Sequence, residues 1–135
     1  MVKMSATYQG EKHCELHHEP SGSKIGTDAP KDNNGRGLQF SPTDLVGAAL
    51  GSCMLTVMAI AAEKDGVDLK GSRMNVEKEM QINPRKIAKL NVVLHMPMRL
   101  PTEYRRKLEE IAHNCPVKLS LHPDLHIPVL FHYDL

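Results

Sequence analysis

Three cysteines, Cys14, Cys53 and Cys115, are the side chains of this 135-residue sequence best suited to covalent chemistry. Cys53 stands inside ALGSCMLTVMAIAA (49–62), the least polar stretch of the chain, and Cys115 inside IAHNCPVKLSLHP (111–123). No CxxC and no regular spacing joins the three, which argues against a secreted disulfide framework and places reduced thiols in the cytoplasm. Two lone thiols on separate packed elements support one specific chemistry. A thiolate that attacks a peroxide becomes a sulfenic acid, and a second thiol within disulfide reach saves it from irreversible oxidation. The plainer alternative is a pair of inert core thiols, because free cysteine is among the most buried residue types.

The elements that must position these thiols can be read from the pattern around them. LVGAALGSCMLTVMAIAA (45–62) carries no charge and would be about 27 Å long as a helix. Its richness in Ala, Gly, Ser and Thr, and its place between amphipathic segments that need a core, favour a buried central helix over a membrane span. Ser41, Pro42 and Asp44 supply an N-cap, a first-turn proline and a first-turn carboxylate, and Gly66 a C-terminal stop, so the helix runs from 42 to about 65. Gly47 and Gly51, four apart on one face, predict close packing against another helix, contributed by a second subunit.

The remaining segments alternate or repeat. RMNVEKEMQI places Met74, Val76, Met80 and Ile82 on one face, KIAKLNVVLHM does the same with Ala88, Leu90, Val92, Leu94 and Met96, and 73–96 reads as an antiparallel hairpin. Two or three strands are expected before the long helix. From 101 to about 114, Tyr104, Leu108, Ile111, Ala112 and Cys115 form one apolar helical stripe. Pro116 then opens a short helical turn through about His122 with Cys115 as its N-cap, and HIPVLFHYD closes the chain as a strand. The methionines at 54, 58, 74, 80, 96 and 98 are expected in the core. The pattern is that of one α+β domain over residues 1–135, with antiparallel sheets around a long central buried helix.

Composition excludes several functions. Seventeen Lys and Arg against 16 Asp and Glu give a net charge of +1, with no basic stripe for nucleic acid. The first residues lack a signal-peptide core, and no membrane partner is expected. HCELHH (13–18) lacks metal-ligand spacing, since strand geometry separates i and i+4 by about 13 Å. No metal and no organic cofactor is expected. His113, two residues before Cys115, reads as a polar helix position able to shuttle a proton.

SPTDLVGAALGSCM together with IAHNCPVKLSLHP resembles the two cysteine motifs of the OsmC/Ohr family, the osmotically induced and organic hydroperoxide resistance proteins, and the order of elements matches over nearly the whole chain. The resemblance implies an intertwined α+β homodimer with active sites at its interface. It also implies thiol-dependent reduction of organic or lipid hydroperoxides, with Cys53 peroxidatic, Cys115 resolving and a dithiol such as a lipoyl protein as reductant. Hydroperoxide reductases of the family pair an N-terminal arginine with a glutamate just after the proline that opens the long helix. Here Thr43 stands at the glutamate position with Asp44 beside it, and Lys12, His13 and Arg36 are the candidate cations, Arg36 and Lys12 foremost. Electrostatics points the other way for the thiols: an N-cap favours the thiolate at Cys115, and apolar neighbours disfavour it at Cys53. The second function class is therefore a redox-sensing or small apolar-ligand-binding protein on the same fold with little peroxidase turnover.

Overall fold

Two three-stranded sheets grow from the alternating segments. The computed structural model describes all 135 residues and divides into two compact units, Met1–Val46 and Gly47–Leu135. In the first unit, β1 (Met4–Tyr8), β2 (His13–His18) and β3 (Ser23–Asp28) form an antiparallel sheet in the order β1-β2-β3, with Tyr8 opposite Cys14 and Cys14 opposite Thr27. The reversal between β1 and β2 places Gly10, Glu11 and Lys12 in succession at positive φ, a conformation only the glycine adopts freely. β1 is exposed along its whole length, and burial in this sheet is confined to its far end, at Thr27 and Asp28. A loop containing a 3-10 turn (Lys31–Asn33) then returns so that the Asp28 N–H donates to the Phe40 carbonyl at 3.1 Å.

α1 (Pro42–Lys64) starts and ends within one residue of the predicted bounds. Its first turn is closed reciprocally. The Asp44 N–H donates to Ser41 Oγ at 3.1 Å and the Ser41 N–H to Asp44 Oδ2 at 2.8 Å, a capping box with aspartate at its third position.

In the second unit, β4 (Arg73–Gln81) and β5 (Lys86–His95) form the predicted hairpin, and β6 (Val129–His132) adds to β5 in parallel, giving the order β4-β5-β6. Leu90, Val92, Leu94 and Met96 are buried as the alternation requires. Ile82, assigned to the inner face, lies beyond the end of β4 and is exposed. Met98, expected in the core, is exposed in the segment after β5.

The buried stripe of α1 is Gly47, Leu50, Gly51, Met54, Met58 and Ala62. The two glycines face the sheet and not another helix, which corrects the expectation. A Cβ on Gly47 would stand 3.3 Å from Val76 and 3.4 Å from Leu90, and one on Gly51 2.6 Å from the Met74 sulfur and 3.0 Å from Val76. Helix backbone and sheet side chains meet directly here. Within one chain α1 is buried along one face. Ala49, Ser52, Thr56, Ala59 and Ile60 are exposed, because the sheet covers one face only. By length and composition alone this helix is long and apolar enough to cross a membrane; the buried stripe is the face laid on β4 and β5.

α2 (Thr102–His113) carries the predicted stripe, with Leu108, Ala112 and Cys115 wholly buried and Tyr104 and Ile111 partly so. The end of α1 is tied to α2 through Asp65, which accepts from Lys107 Nζ at 2.8 Å and Tyr104 Oη at 3.0 Å. The chain end is fastened to the same helix, with Tyr133 Oη donating to Glu109 at 2.8 Å and the Arg105 guanidinium lying 4.2 Å over the Tyr133 ring. α3 (Pro116–Ser120) is capped by Cys115 and ends two residues before the predicted limit.

The glycine contact sets an expected outcome. Gly51→Val adds branched bulk where a Cβ already meets Met74 and Val76, and should lower stability by about 1–3 kcal/mol. Gly47→Ala, whose Cβ meets Val76 at a tight 3.3 Å, should be near neutral, the tight fit offset by the helix preference for alanine. Urea midpoints of the two variants test the difference.

Candidate active site

The 3.6-residue period that lays Met54 on the sheet turns Cys53 to the margin of the buried stripe, where it is half-buried and not core-facing as expected. Cys115 arrives from the α2–α3 junction with no exposed surface. The two thiols lie near enough for Cys53 to act on the ionisation of Cys115. Both are free, as is Cys14, which is half-buried on β2.

Cys115 reverses the electrostatic expectation. Burial pushes its thiol up, and the Cys53 thiol pushes it further. The backbone N–H groups of Lys118, 3.4 Å from Sγ, and of Val117 act in the opposite sense and do not prevail. The helix they begin is only five residues long, so its few amides offer less to a thiolate than the lost water did. Burial and the neighbouring thiol thus favour the neutral form of Cys115.

The remaining predicted residues lie in the first unit. Arg36 is claimed by two carboxylates, Asp28 Oδ1 at 3.1 Å and Glu11 Oε2 at 3.2 Å. Lys12 is exposed in the β1–β2 turn, where its N–H donates to Tyr8 Oη at 3.2 Å and its carbonyl accepts from Ala29. His13 Nδ1 stands 2.6 Å from Asp28 Oδ1. Thr43 Oγ1 lies 3.2 Å from Ser41 Oγ, and Asp44 serves the cap. No group of three His, Cys, Asp or Glu is placed to hold a metal ion.

Sequence reasoning missed Asp28. Its carboxylate is completely buried and gathers His13, Arg36 and the Leu38 N–H at 3.1 Å. Burial works to raise it, but these hydrogen bonds and the guanidinium charge outweigh burial and hold the carboxyl below its ordinary 3.8. The only sequence signal was an acid directly before Ala-Pro at the end of a strand, indistinguishable from a turn residue.

Two outcomes follow. Ser41→Ala and Asp44→Ala should each cost about 1 kcal/mol through the lost cap, measurable by urea denaturation, with the alkylation rate of Cys53 unchanged. A carboxyl lowered on folding stabilises at pH above its unfolded value, and that contribution is lost as pH falls through the folded one. Stability should therefore drop below about pH 4, and Asp28→Asn, which removes the titrating group, should flatten that limb of the pH–stability curve while loosening residues 31–38 to limited proteolysis.

Known proteins place the chain. The OsmC-like protein family profile matches residues 34–129. A protein from Psychrobacter arcticus 273-4, provisionally described as an osmotic stress induced and detoxification response protein, is 36% identical, superposes with a TM-score of 0.94 and is matched over 98% of this chain and 96% of its own. An OsmC-like protein of unknown function from Vibrio cholerae is 18% identical with a TM-score of 0.81 over 97% and 98% of the two chains. The organic hydroperoxide resistance protein OsmC of Legionella pneumophila is 20% identical with a TM-score of 0.74 over 98% and 96%. No curated protein matches the sequence. The last two structures share the fold, and the family profile and the Psychrobacter relative decide membership: this α+β chain belongs to the OsmC family.

Proposed function

We propose that the protein is a thiol-dependent peroxidase of organic hydroperoxides, with Cys53 peroxidatic and Cys115 resolving. The observation that carries this reading is the pairing of a half-exposed thiol with a fully buried one near enough to perturb its ionisation. The Cys53 thiolate attacks the distal peroxide oxygen, the O–O bond breaks, and the alkoxide leaves as alcohol after taking a proton, so that Cys53 is oxidised to sulfenic acid. Cys115 then attacks the sulfenic sulfur, an S–S bond forms, and the oxygen leaves as water. An external dithiol, a lipoyl protein being the chemical type, reduces the disulfide and restores both thiols.

The working form in this reading is a cytoplasmic homodimer. The uncovered small and apolar face of α1 (Ala49, Ser52, Thr56, Ala59, Ile60) and the exposed Met4, Tyr8 and Ile25 of the first unit are surfaces of the kind a second copy covers. A single domain over residues 1–135 belongs to the same proposal. Activation of Cys53 needs a cation, and Arg36 and Lys12 remain the candidates. The Arg36 guanidinium is already shared by Asp28 and Glu11, whereas the Lys12 ammonium makes no ion pair. Lys12→Ala should therefore slow alkylation of Cys53 at pH 7 more than Arg36→Ala does.

The deciding assay supplies cumene hydroperoxide with dihydrolipoamide. The parent should turn over, Cys53→Ser should be inactive, and Cys115→Ser should consume one equivalent and accumulate a dimedone-reactive sulfenic acid. Mass spectrometry of the parent after one equivalent should find Cys53 joined to Cys115. No consumption of peroxide by the parent overturns the reading in favour of a ligand-binding or redox-sensing protein.

A further inference from the structure

The five residues of α3 cannot hold a helix by themselves in water. Three side-chain contacts keep them wound: Cys115 Sγ accepts the Lys118 N–H at 3.4 Å, Ser120 Oγ donates to the Pro116 carbonyl at 2.7 Å, and Lys118 Nζ lies 3.2 Å from His113 Nδ1. The first of these uses the sulfur assigned the resolving role. Lys118 therefore has two attachments across the α2–α3 junction, its backbone on the Cys115 sulfur and its ammonium on the last residue of α2. The His113 ring also meets Phe131 of β6, edge-on at 5.8 Å. An ammonium only donates, so the Nδ1 that meets it carries the lone pair and the ring proton sits on Nε2.

We propose that Lys118 and His113 form a positioning brace that keeps the Cys115 turn in place while the Cys115 sulfur gives up its backbone contact to join Cys53. The proposal rests on the resolving role assigned above. In that step the Cys115 S–H and the Cys53 S–OH combine, the S–S bond forms, the S–O bond breaks, and the oxygen departs as water with both protons. Neither brace side chain touches the reacting sulfur, so both are positioning residues.

The brace is sensitive to pH. His113 faces Lys118 from α3, Glu109 from its own helix and the uncharged Phe131 from β6. Partial burial lowers its pKa from 6.5 and Lys118 lowers it further, with Glu109 opposing both. At neutral pH the imidazole accepts from Lys118. As pH falls through the lowered value, an imidazolium faces an ammonium and the contact is lost. The contribution is thus present above 6.5 and disappears on acidification.

Single-turnover oxidation of the full chain by one equivalent of cumene hydroperoxide tests the proposal, with sulfenic acid followed by dimedone trapping and disulfide by acid-quenched alkylation and mass spectrometry. Lys118→Met keeps the backbone N–H and removes the ammonium. It should form sulfenic acid at the parent rate and disulfide about tenfold more slowly, the scale of a small misplacement of a reacting group. Lys118→Arg should restore the second step. His113→Gln keeps an acceptor that does not titrate, and should match the parent at pH 7 and slow less than the parent toward pH 5, where loss of the Cys115 thiolate slows both alike. Equal disulfide rates in parent and Lys118→Met, or the same acid slowing in His113→Gln as in the parent, overturns the brace and leaves the peroxidase reading standing. Absence of any sulfenic acid in the parent overturns the peroxidatic role of Cys53 and the brace with it.

Discussion

The close approach of α1 to the β4–β5 sheet, made possible by Gly47 and Gly51, is the constraint from which the arrangement of the second unit follows. Two missing side chains let helix backbone rest against Val76, Leu90 and Met74, a depth that a Cβ at residue 51 would prevent. Once that face is fixed, the helical period distributes every other residue. Leu50, Met54, Met58 and Ala62 go wholly under cover, Ser52 and Thr56 are left outside, and Cys53 falls on the boundary between them. A thiol on that boundary has water on one side and packed atoms on the other. Its access is thus set by two glycines that have no chemistry of their own.

Cys115 shows how competing terms set a thiol's acidity. Its position as an N-cap brings two backbone donors to the sulfur, which in an exposed setting would make it the more acidic thiol. Complete burial removes the hydration that a thiolate needs, and the neighbouring Cys53 adds a further penalty. Desolvation wins because the helix behind the donors is one turn long and has little dipole to add. The same short helix uses the sulfur as its cap, so reactivity and local stability draw on one atom.

Much of this was legible in the sequence where a period or a cap carried the signal. The bounds of α1 followed from Ser41, Pro42 and Gly66, the hairpin from alternation, and the α2 stripe from Tyr104 to Cys115 from its 3.6-residue spacing. Ile82 was misplaced because alternation does not say where a strand stops. The partner of the Gly47 and Gly51 face was misread for a related reason: small residues announce a close approach without naming what approaches, and here it is a sheet. Asp28 was invisible, since its importance comes from His13, Arg36 and Leu38 meeting it through the fold of a loop that has no period to read.

That loop also changes the meaning of its charges. A carboxylate with no exposed surface is tolerable only when its lone pairs are filled and its charge is met. Asp28 satisfies both demands by taking His13, a backbone amide and one arm of Arg36, while the other arm goes to Glu11. The guanidinium is thereby a structural counter-ion first, and its field at any distance is reduced by the two carboxylates that hold it. For Arg36 to activate a thiol it would have to surrender Asp28, leaving a buried carboxylate without its guanidinium counter-ion, which is a costly exchange. Lys12 bears no such obligation, since its ammonium is exposed on a turn whose left-handed backbone is fixed by Gly10 and by contacts to Tyr8 and Ala29. Of the two candidate cations, Arg36 is thus committed to the folding of the first unit and Lys12 is not, and the difference is decided by a single buried aspartate.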